Sequence, residues 1–276
     1  MLSYQHGYHA GNFADVHKHA VLSLVLNYLR RKPKPFTVFD LYAGRGRYDL
    51  QSVEAQKTGE AALGILRQWQ QPWPELLGDY RHALRALNPQ SETLRWYPGS
   101  PLITELLTRD GTDLVLCELH PQEFAALQHT FTDHSRVHLH RRDALEAVQA
   151  LLPPMSRRGL VLIDPSYERA GDYDAVTSAV LRGTERWANG VYLLWYPLLA
   201  DGRHQKMLRR LCEAGLPWLR SEVRVRPGGM GMSGSGLLLL NPPYLLPEQL
   251  RSLAGWFAPL GQGAAASLDI FVSEHF

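Results

Sequence analysis

From Phe36 onward, short apolar runs alternate with segments of helical periodicity, and this alternation is the strongest constraint on the fold. It is typical of an α/β protein with a mostly parallel sheet covered by helices on both faces. The seven predicted strands are Phe36–Leu41, Asp113–Cys117, Val137–His140, Leu160–Ile163, Val191–Trp195, Leu219–Val225 and Leu237–Leu240. The last two are joined by the glycine-rich PGGMGMSGSG without a helix, which predicts a hairpin and an antiparallel last strand.

Two segments depart from this alternation. An amphipathic helix at about residues 15–31 precedes the first strand and follows a polar, histidine-rich arm. Residues 50–96 carry helical patterns around Trp69 and Leu84 without a convincing strand, and the segment is too long for an ordinary loop. We therefore expect one domain over residues 1–276, with an N-terminal arm and helix at 1–35 and a small helical insertion at about 50–96.

The composition excludes several classes of protein. The two cysteines support neither a disulfide framework nor a cysteine metal site, and the first residues carry no secretion signal. No apolar run is long enough to span a membrane, so we expect a cytoplasmic protein, without indication of an obligate oligomer. The net charge of +2 is too small to indicate a nucleic-acid partner. Basic clusters at 30–34, 141–142, 157–158 and 220–226 fit RNA phosphates and a solvated surface equally well.

A glycine-containing loop follows the first predicted strand. Asp40 ends the strand, and Gly44 and Gly46 lie two residues apart, a pattern that lets a nucleotide-like ligand approach the backbone closely. A dinucleotide loop requires a third glycine near position 49, which is Asp49 here. The pattern therefore favours the S-adenosylmethionine loop of class I methyltransferases over an NAD-dependent oxidoreductase, although a simple turn would also account for it.

Two acidic residues follow later strands. Glu118 ends the second predicted strand, where its carboxylate can accept both ribose hydroxyls of a nucleoside. Asp143 follows the third strand, where it can bind the adenine amine of a cofactor beside the backbone N–H of Ala144. The alternatives are a solvent-facing strand end for Glu118 and a helix N-cap for Asp143, and the cap does not exclude the binding role.

The fourth predicted strand ends in Asp164-Pro165-Ser166-Tyr167. The Asp164 carboxylate and the Pro165 carbonyl can each accept one hydrogen of an adenine N6 amine, which directs the nitrogen lone pair toward a methyl donor. Tyr167 can stack on the extruded base. This motif predicts a catalytic corner made of Asp164, Pro165 and Tyr167, with Asp164 as the eventual proton acceptor.

A competing motif, Asn241-Pro242-Pro243-Tyr244, ends the last predicted strand. The same pattern serves amino-methyltransferases, including enzymes that methylate protein glutamine. Strand order favours Asp164, because the catalytic corner should follow the fourth strand when the cofactor loop follows the first. The alternative for Asn241 is a turn that closes the hairpin.

The N-terminal arm contains four histidines, His6, His9, His17 and His19. Their spacing matches no common metal-ligand pattern and no cysteine accompanies them, so no metal is expected. An arm that covers the cofactor and touches RNA is the favoured interpretation.

Together these residues resemble the RlmJ family of bacterial large-subunit ribosomal RNA adenine-N6 methyltransferases over nearly the whole chain. The motifs that carry the resemblance are Leu2-Ser3-Tyr4-x-His6, His9-Ala10-Gly11-Asn12-x-Ala14-Asp15-Val16-x-Lys18-His19, Tyr97–Ile103, Glu118–Pro121 and Ser156–Leu160. The resemblance implies a Rossmann-like methyltransferase fold, S-adenosylmethionine as the cofactor and ribosomal RNA as the partner.

The resemblance also implies roles for individual residues. The cofactor contacts that the resemblance implies are His19, Tyr42, Ser100, Glu118, Asp143, Ala144 and Asp164. Asp40 and Gly44 of the glycine loop and Lys18 of the first helix are expected as further cofactor contacts. Tyr4, His6 and Tyr167 are expected to contact the RNA. Two positions depart from the family pattern, since Tyr42 replaces a histidine and Ser166 replaces the second proline of D-P-P-Y. Ser166 also motivates an alternative in which the protein binds its ligands without catalysis.

Overall fold

A computed structural model describes residues 4–89, 91–169, 171–226 and 231–274. The strands in chain order are β1 Phe36–Asp40, β2 Arg47–Asp49, β3 Trp96–Pro98, β4 Thr112–Cys117, β5 Val137–His140, β6 Gly159–Ile163, β7 Val191–Leu199, β8 Trp218–Arg224, β9 Met232–Leu240 and β10 Ser267–Val272. The α-helices are α1 Phe13–Arg30, α2 Val53–Thr58, α3 Glu60–Leu63, α4 Ile65–Trp69, α5 Gly78–Leu87, α6 Ser100–Leu107, α7 Pro121–Thr130, α8 Ala144–Leu151, α9 Asp172–Arg186, α10 His204–Cys212, α11 Leu246–Ser252 and α12 Ala254–Phe257.

Eight strands form the central sheet in the order β10-β8-β9-β7-β6-β1-β4-β5. The five strands from β7 to β5 along this order are parallel, and β9 runs antiparallel to both β7 and β8. The Rossmann-like α/β fold, all seven predicted strands and the antiparallel hairpin are therefore confirmed. The first residues of the predicted hairpin connection, 227–230, lie outside the described residues.

The sheet differs from the prediction at one edge. β10 is an eighth strand, antiparallel to β8, whose residues are exposed or half-buried and give a weak apolar signal. β9 also begins earlier than predicted, at Met232. Its first half is a run of glycine and serine, which have low strand propensity, and the ring of Tyr196 packs where a side chain at Gly236 would lie.

β1 lies at the centre of the sheet, between β4 and β6. All five residues of β1 and of β6 are buried, as expected for parallel strands covered on both faces. The chain passes from β1 to β4 on one side and to β6 on the other, so the strand order reverses at β1. A crevice forms at such a reversal, at the carboxyl ends of the strands.

Helix α1 packs against the sheet and is buried over most of its length. Asn12 caps it by accepting a hydrogen bond from the Asp15 backbone N–H at 2.9 Å. His17 is fully buried between the hydroxyls of Ser221 and Ser235, at 2.9 and 3.0 Å. The first turns of α1 therefore combine core contacts with polar side chains.

The segment between β2 and β3 is helical and contains α2–α5. The expectation that it lacks strands is wrong at its ends, because β2 and β3 pair as an antiparallel two-stranded sheet with Tyr48 opposite Tyr97. Strands of three residues are too short to show a clear alternating pattern. Among the described residues, none of the helices combines the length and apolar character that a membrane crossing requires.

Candidate active site

A cleft of about 500 Å³ opens at the carboxyl ends of β1, β4 and β6. The N-terminal arm and the first turns of α1 form one wall, and the loops that follow the strands form the other. Every site residue predicted from the sequence lines this cleft except Asp40. The fold thus brings together side chains that lie as far apart in sequence as Tyr4 and Tyr167.

Asp40 is buried outside the lining of the cleft, at 1% exposure. Its Oδ1 accepts a hydrogen bond from the Tyr42 backbone N–H at 3.4 Å, and its Oδ2 has no partner among the described residues. Burial raises the pKa of Asp40 to about 6, although a hydrogen bond with the Ser100 side chain opposes the shift. Asp40 therefore lies beneath the loop and is not part of the wall of the cleft.

Ser100, which forms a hydrogen bond with Asp40, is the first residue of α6. The sequence pattern Ser100-Pro101 predicts Ser100 as the N-cap, but the helix begins at Ser100 and Gly99 is the capping residue, without a side-chain cap. Because of this shift of one residue, the backbone N–H of Ser100 is the first of α6, and Ser100 lines the cleft together with Gly99.

The glycine loop is tied directly to Glu118. The Gly44 backbone N–H donates to Glu118 Oε2 at 2.9 Å, and the His120 backbone N–H donates to Oε1 at 2.7 Å. Gly44 has a φ of +60°, and a Cβ there would collide with the Tyr48 hydroxyl. Burial raises the pKa of Glu118, opposed by these two hydrogen bonds. Each carboxylate oxygen keeps a further lone pair for a ligand.

Asp143 is the N-cap of α8, as the structural alternative predicted. Its Oδ1 accepts hydrogen bonds from the backbone N–H groups of Leu145 and Glu146, at 2.8 and 3.3 Å. The cap uses only this oxygen, and both Asp143 and Ala144 line the cleft. The two hydrogen bonds therefore orient the carboxylate and leave its second oxygen available to a ligand.

Asp164 follows β6 and forms an ion pair with the buried Lys18, which binds its Oδ2. Lys18 also donates to Asp15 Oδ1 at 2.9 Å. Burial alone would lower the pKa of Lys18, but the carboxylates of Asp15 and Asp164 raise it above its usual value. The lysine is thus a permanent cation held between two acids.

Hydrogen bonds connect this ion pair to the arm. Asp15 Oδ2 contacts His6 Nε2 at 2.8 Å and accepts from the Gly11 backbone N–H at 2.8 Å. His6 Nδ1 in turn contacts the Tyr4 hydroxyl at 2.9 Å. Burial would raise the pKa of Asp15, but His6 and Lys18 hold it well below its usual value. A continuous polar chain therefore runs from Tyr4 to Asp164.

The arm is fastened to the helical insertion. Both oxygens of Glu60 accept hydrogen bonds from the arm, from His9 Nδ1 at 2.8 Å and Asn12 Nδ2 at 2.9 Å. The Ile65 backbone N–H donates to the Gly11 carbonyl at 2.8 Å. The insertion thus sets the position of the arm over the cleft.

Tyr167 is only 7% exposed and has a φ of +51°, a conformation that is rare for a bulky residue. Its ring stacks on Tyr173 with centroids 4.3 Å apart, and its hydroxyl donates to the Trp195 carbonyl at 2.9 Å. Pro165 is buried, whereas Ser166 is exposed. The departure from D-P-P-Y therefore falls on the exposed residue of the motif.

Asn241, from the competing motif, does not line this cleft. Because β9 runs antiparallel to β7, the carboxyl end of β9 lies beside the amino end of β7, where Leu240 pairs with Tyr192. Asn241 is therefore at the end of the sheet opposite the cleft. The Asn241 side-chain amide donates to the carbonyls of Ala188 and Gly190, at 2.6 and 2.8 Å. The residue acts here as a structural tie.

The four arm histidines have four different sets of partners. His6 contacts Asp15, His9 contacts Glu60, His17 contacts two serines and His19 contacts Tyr97. Across the part of the chain that the structure describes, no group of three or more His, Cys, Asp or Glu residues is placed to hold a metal ion.

Several residues of the basic clusters form hydrogen bonds or ion pairs with other residues of the same chain. Arg30 pairs with Asp79, Arg158 donates to the Lys34 carbonyl at 2.9 Å, and Arg224 pairs with Glu222 at 2.6 Å. Arg142 belongs to the cleft lining. Contacts within the chain thus account for some of these side chains, and Arg142 is the cluster residue that lines the cleft.

Sequence reasoning missed several lining residues. Tyr48 and Trp195 line the cleft but carry no local signal, because Tyr48 lies in the three-residue strand β2 and Trp195 is one apolar residue of the long strand β7. Glu60 has none either, since it is one polar residue in an insertion. Tyr97 contacts His19 from behind the cleft, and the only signal for it was its place in the motif Tyr97–Ile103.

Comparisons with known proteins agree with this geometry. Residues 33–266 match the family described as "Ribosomal RNA large subunit methyltransferase D, RlmJ". The chain is 43% identical over 273 residues to Escherichia coli ribosomal RNA large subunit methyltransferase J, covering 96% of this chain and 97% of the relative. The Haemophilus influenzae protein of the same name is 42% identical over 257 residues, covering 92% of each chain.

A solved structure is similar over nearly the whole fold. The crystal structure of a Legionella pneumophila protein superposes with a TM-score of 0.88 at 36% identity, covering 96% of this chain and 99% of that one. The match of the family over most of the chain, together with these relatives, determines the assignment. The chain belongs to the RlmJ family of large-subunit ribosomal RNA methyltransferases.

Proposed function

We propose that this protein transfers a methyl group from S-adenosylmethionine to the N6 amine of one adenine in large-subunit ribosomal RNA. The observation that carries the proposal is the position of Asp164 and Pro165 in the same cleft as the glycine loop, Glu118 and Asp143. The relatives named as large-subunit ribosomal RNA methyltransferases support the RNA substrate.

The cleft suits the cofactor in three respects. The absence of a side chain at Gly44 leaves the loop backbone open to close approach, and Glu118 keeps lone pairs for two ribose hydroxyls. Asp143 and Ala144 would bind the adenine edge. His19 Nε2 and the first turn of α6 at Ser100 would bind the amino-acid end, since His19 Nε2 is buried without a partner among the described residues.

In this assignment the bound cofactor supplies an electrophilic methyl group on its sulfonium. The protein would orient the attacking amine, because Pro165 offers a carbonyl and Asp164 offers an oxygen to the two N6 hydrogens. Lys18 occupies Asp164 Oδ2 and so leaves Oδ1 for the substrate. Asp164 would then take the proton that the amine loses after transfer, and most of the rate enhancement would come from positioning.

The N-terminal arm would close the cleft over the cofactor and contact the RNA through Tyr4 and His6. The ring of Tyr4 stacks on His9 with centroids 5.5 Å apart, so it is held at the rim of the cleft. Tyr173 covers one face of the Tyr167 ring, and the extruded base would bind next to this pair of rings. We further propose that the protein acts as a monomer in the cytoplasm, where its RNA substrate is made.

The test is incubation with methyl-labelled S-adenosylmethionine and in vitro transcribed large-subunit ribosomal RNA, followed by digestion to nucleosides and mass spectrometry. We expect label in N6-methyladenosine at one position, and the same position should be unmodified in ribosomal RNA from cells that lack the gene. Absence of label from adenine would contradict the proposal, and label in protein glutamine would favour the Asn241 motif instead.

A further inference from the structure

His19 is connected to the helical insertion by two buried hydroxyl groups. Its Nδ1 lies 2.7 Å from the Tyr97 hydroxyl, which lies 2.9 Å from the Tyr80 hydroxyl. All three side chains are at most 1% exposed. Nε2, on the other side of the ring, has no partner among the described residues, and His19 lines the cleft.

The imidazole is neutral under ordinary conditions, because burial lowers the pKa of His19 to about 3. A neutral imidazole carries one hydrogen, either on Nδ1 or on Nε2. The Tyr97 contact is compatible with both tautomers, since a hydroxyl can donate or accept. The choice therefore depends on where the other hydroxyl hydrogens go.

The hydroxyl chain ends at Tyr80. Among the described residues, the only hydrogen-bond partner of the Tyr80 hydroxyl is the Tyr97 oxygen, so the Tyr80 hydrogen is satisfied only by pointing toward Tyr97. Tyr97 then accepts from Tyr80 and donates to His19 Nδ1. In the reverse direction His19 Nδ1–H would donate to Tyr97, and the hydrogen of Tyr80 would be buried in the interior without an acceptor. The favoured direction leaves the hydrogen of His19 Nε2 instead, on a residue that lines the cleft and can meet a ligand there.

We infer that Tyr97 is a positioning residue that holds His19 in the tautomer with hydrogen on Nε2, so that the ring presents an N–H donor to the carboxylate of S-adenosylmethionine. A donor suits a carboxylate, whereas the ammonium group of the same amino acid would need an acceptor. The start of α6 adds to the same preference. The backbone N–H of Ser100, the first residue of α6, lies at the cleft three residues after Tyr97 and favours an anion.

This inference rests on the proposed position of the cofactor's amino-acid end, but the tautomer itself can be measured without any ligand. Histidine-selective ¹⁵N labelling and long-range ¹H–¹⁵N correlation spectra distinguish the two tautomers of a neutral imidazole. A His19→Gln variant assigns the signal. In the unliganded wild-type protein, we expect His19 to carry its hydrogen on Nε2.

Two matched variants separate orientation from packing. Tyr97→Phe removes the donor to Nδ1, so the Nδ1–H form should become populated. Tyr80→Phe removes a buried hydroxyl from the same chain but leaves Tyr97 able to donate to His19, so the tautomer should stay unchanged. A purely structural role for the two tyrosines predicts no such difference between them.

Calorimetric titration tests the ligand side with two probes, S-adenosylmethionine and its decarboxylated form. Tyr97→Phe should weaken binding of S-adenosylmethionine by about tenfold and binding of the decarboxylated form by less than about twofold. Tyr80→Phe should bind both probes like the wild type.

Three results would overturn the inference: hydrogen on Nδ1 in the wild type, an unchanged tautomer in Tyr97→Phe, or equal losses for the two probes in that variant. Failure of the proposed function would look different. In that case wild-type protein would bind S-adenosylmethionine with the predicted tautomer and yet transfer no methyl group to ribosomal RNA.

Discussion

Two strands of the same sheet end in similar motifs, yet their surroundings differ. After β6, Asp164 is paired with a buried lysine in a cleft, and Tyr167 is 7% exposed. After β9, Asn241 donates to two backbone carbonyls, and Tyr244 is 76% exposed. Both motifs contain a residue with φ near +50°, at Tyr167 and Asn241, so backbone shape does not distinguish them.

The comparison teaches that the chemistry of such a motif depends on the end of the sheet at which its strand finishes. The end of the sheet with the cleft buries charge and unsatisfied groups: Lys18 is buried between two carboxylates, and Asp40 and His19 each bury an atom that has no partner among the described residues. At the opposite end the amide of Asn241 is neutral and hydrogen bonded. Strained or unsatisfied groups that the rest of the fold tolerates are characteristic of functional sites.

The largest expected effect is on Asp164. Asp164→Asn keeps the shape of the side chain but cannot take a proton, and it loses the charge that pairs with Lys18. We expect methyl transfer to ribosomal RNA to fall by at least about 10³-fold, with cofactor affinity changed far less. Single-turnover assays with labelled cofactor measure the rate, and transfer within tenfold of the wild type would break the comparison in favour of Asn241.

Lys18→Met should have the next largest effect. The substitution keeps most of the side-chain volume but removes the cation between Asp15 and Asp164, so the catalytic carboxylate loses its orientation. We expect transfer to fall by about 10²-fold. The variant must be shown to fold by circular dichroism, and full activity in a folded protein would mean that Asp164 acts without Lys18.

Asp40→Asn tests the comparison through the stability of the protein rather than through its activity. Because the pKa of Asp40 is raised from 3.8 to about 6, the fold favours the protonated carboxyl, and the stability this group contributes is lost as the pH rises through that range. Asparagine stays neutral, so the variant should be more stable than the wild type by ~2 kcal/mol above about pH 6 and equal to it below about pH 4.

Urea unfolding of both proteins at about pH 4 and about pH 8 measures this difference. A variant that is less stable than the wild type at about pH 8, but equal to it at about pH 4, would mean that the ionised carboxylate of Asp40 is a net stabilising group. The cleft end of the sheet would then be better satisfied than its unpartnered atoms indicate.

The smallest effect is expected for Asn241→Ala. The substitution removes both hydrogen bonds to the Ala188 and Gly190 carbonyls, and alanine is less tolerant of the left-handed conformation at this position. We expect a loss of ~1–2 kcal/mol in the free energy of unfolding. Methyl transfer should stay within about twofold at a temperature where the protein is folded. Asn241→Gly is the matched control, because it removes the same two hydrogen bonds without the strain that alanine adds in the left-handed conformation.

The sequence was sufficient for the parallel half of the sheet, because buried strands such as β1 and β6 are continuous apolar runs that end in acids. It was insufficient where an element is very short or rich in small residues. β2 and β3 have three residues each, and the first half of β9 was assigned to a turn because glycine and serine depress strand propensity.

The site residues divide along similar lines. The places of Glu118, Asp143 and Asp164 in the cleft could be predicted, since each comes soon after the carboxyl end of a strand of the parallel sheet. The pairing of Lys18 with Asp164 and the contact of Tyr97 with His19 could not, because they depend on how α1 crosses the sheet and on a strand pair that closes a long insertion. Asp40 carries the expected signal but is buried behind the loop.

The fastening of the arm to the insertion through Glu60 and Ile65 limits how the protein can be recombined with its relatives. An exchange of residues 50–96 alone would replace the surface on which the arm rests, and an exchange of the arm alone would place a different arm against Glu60 and Ile65. The two segments are separated in sequence by the first strand of the sheet, but they contact each other directly. We therefore expect a chimera to retain activity only when both segments come from the same parent.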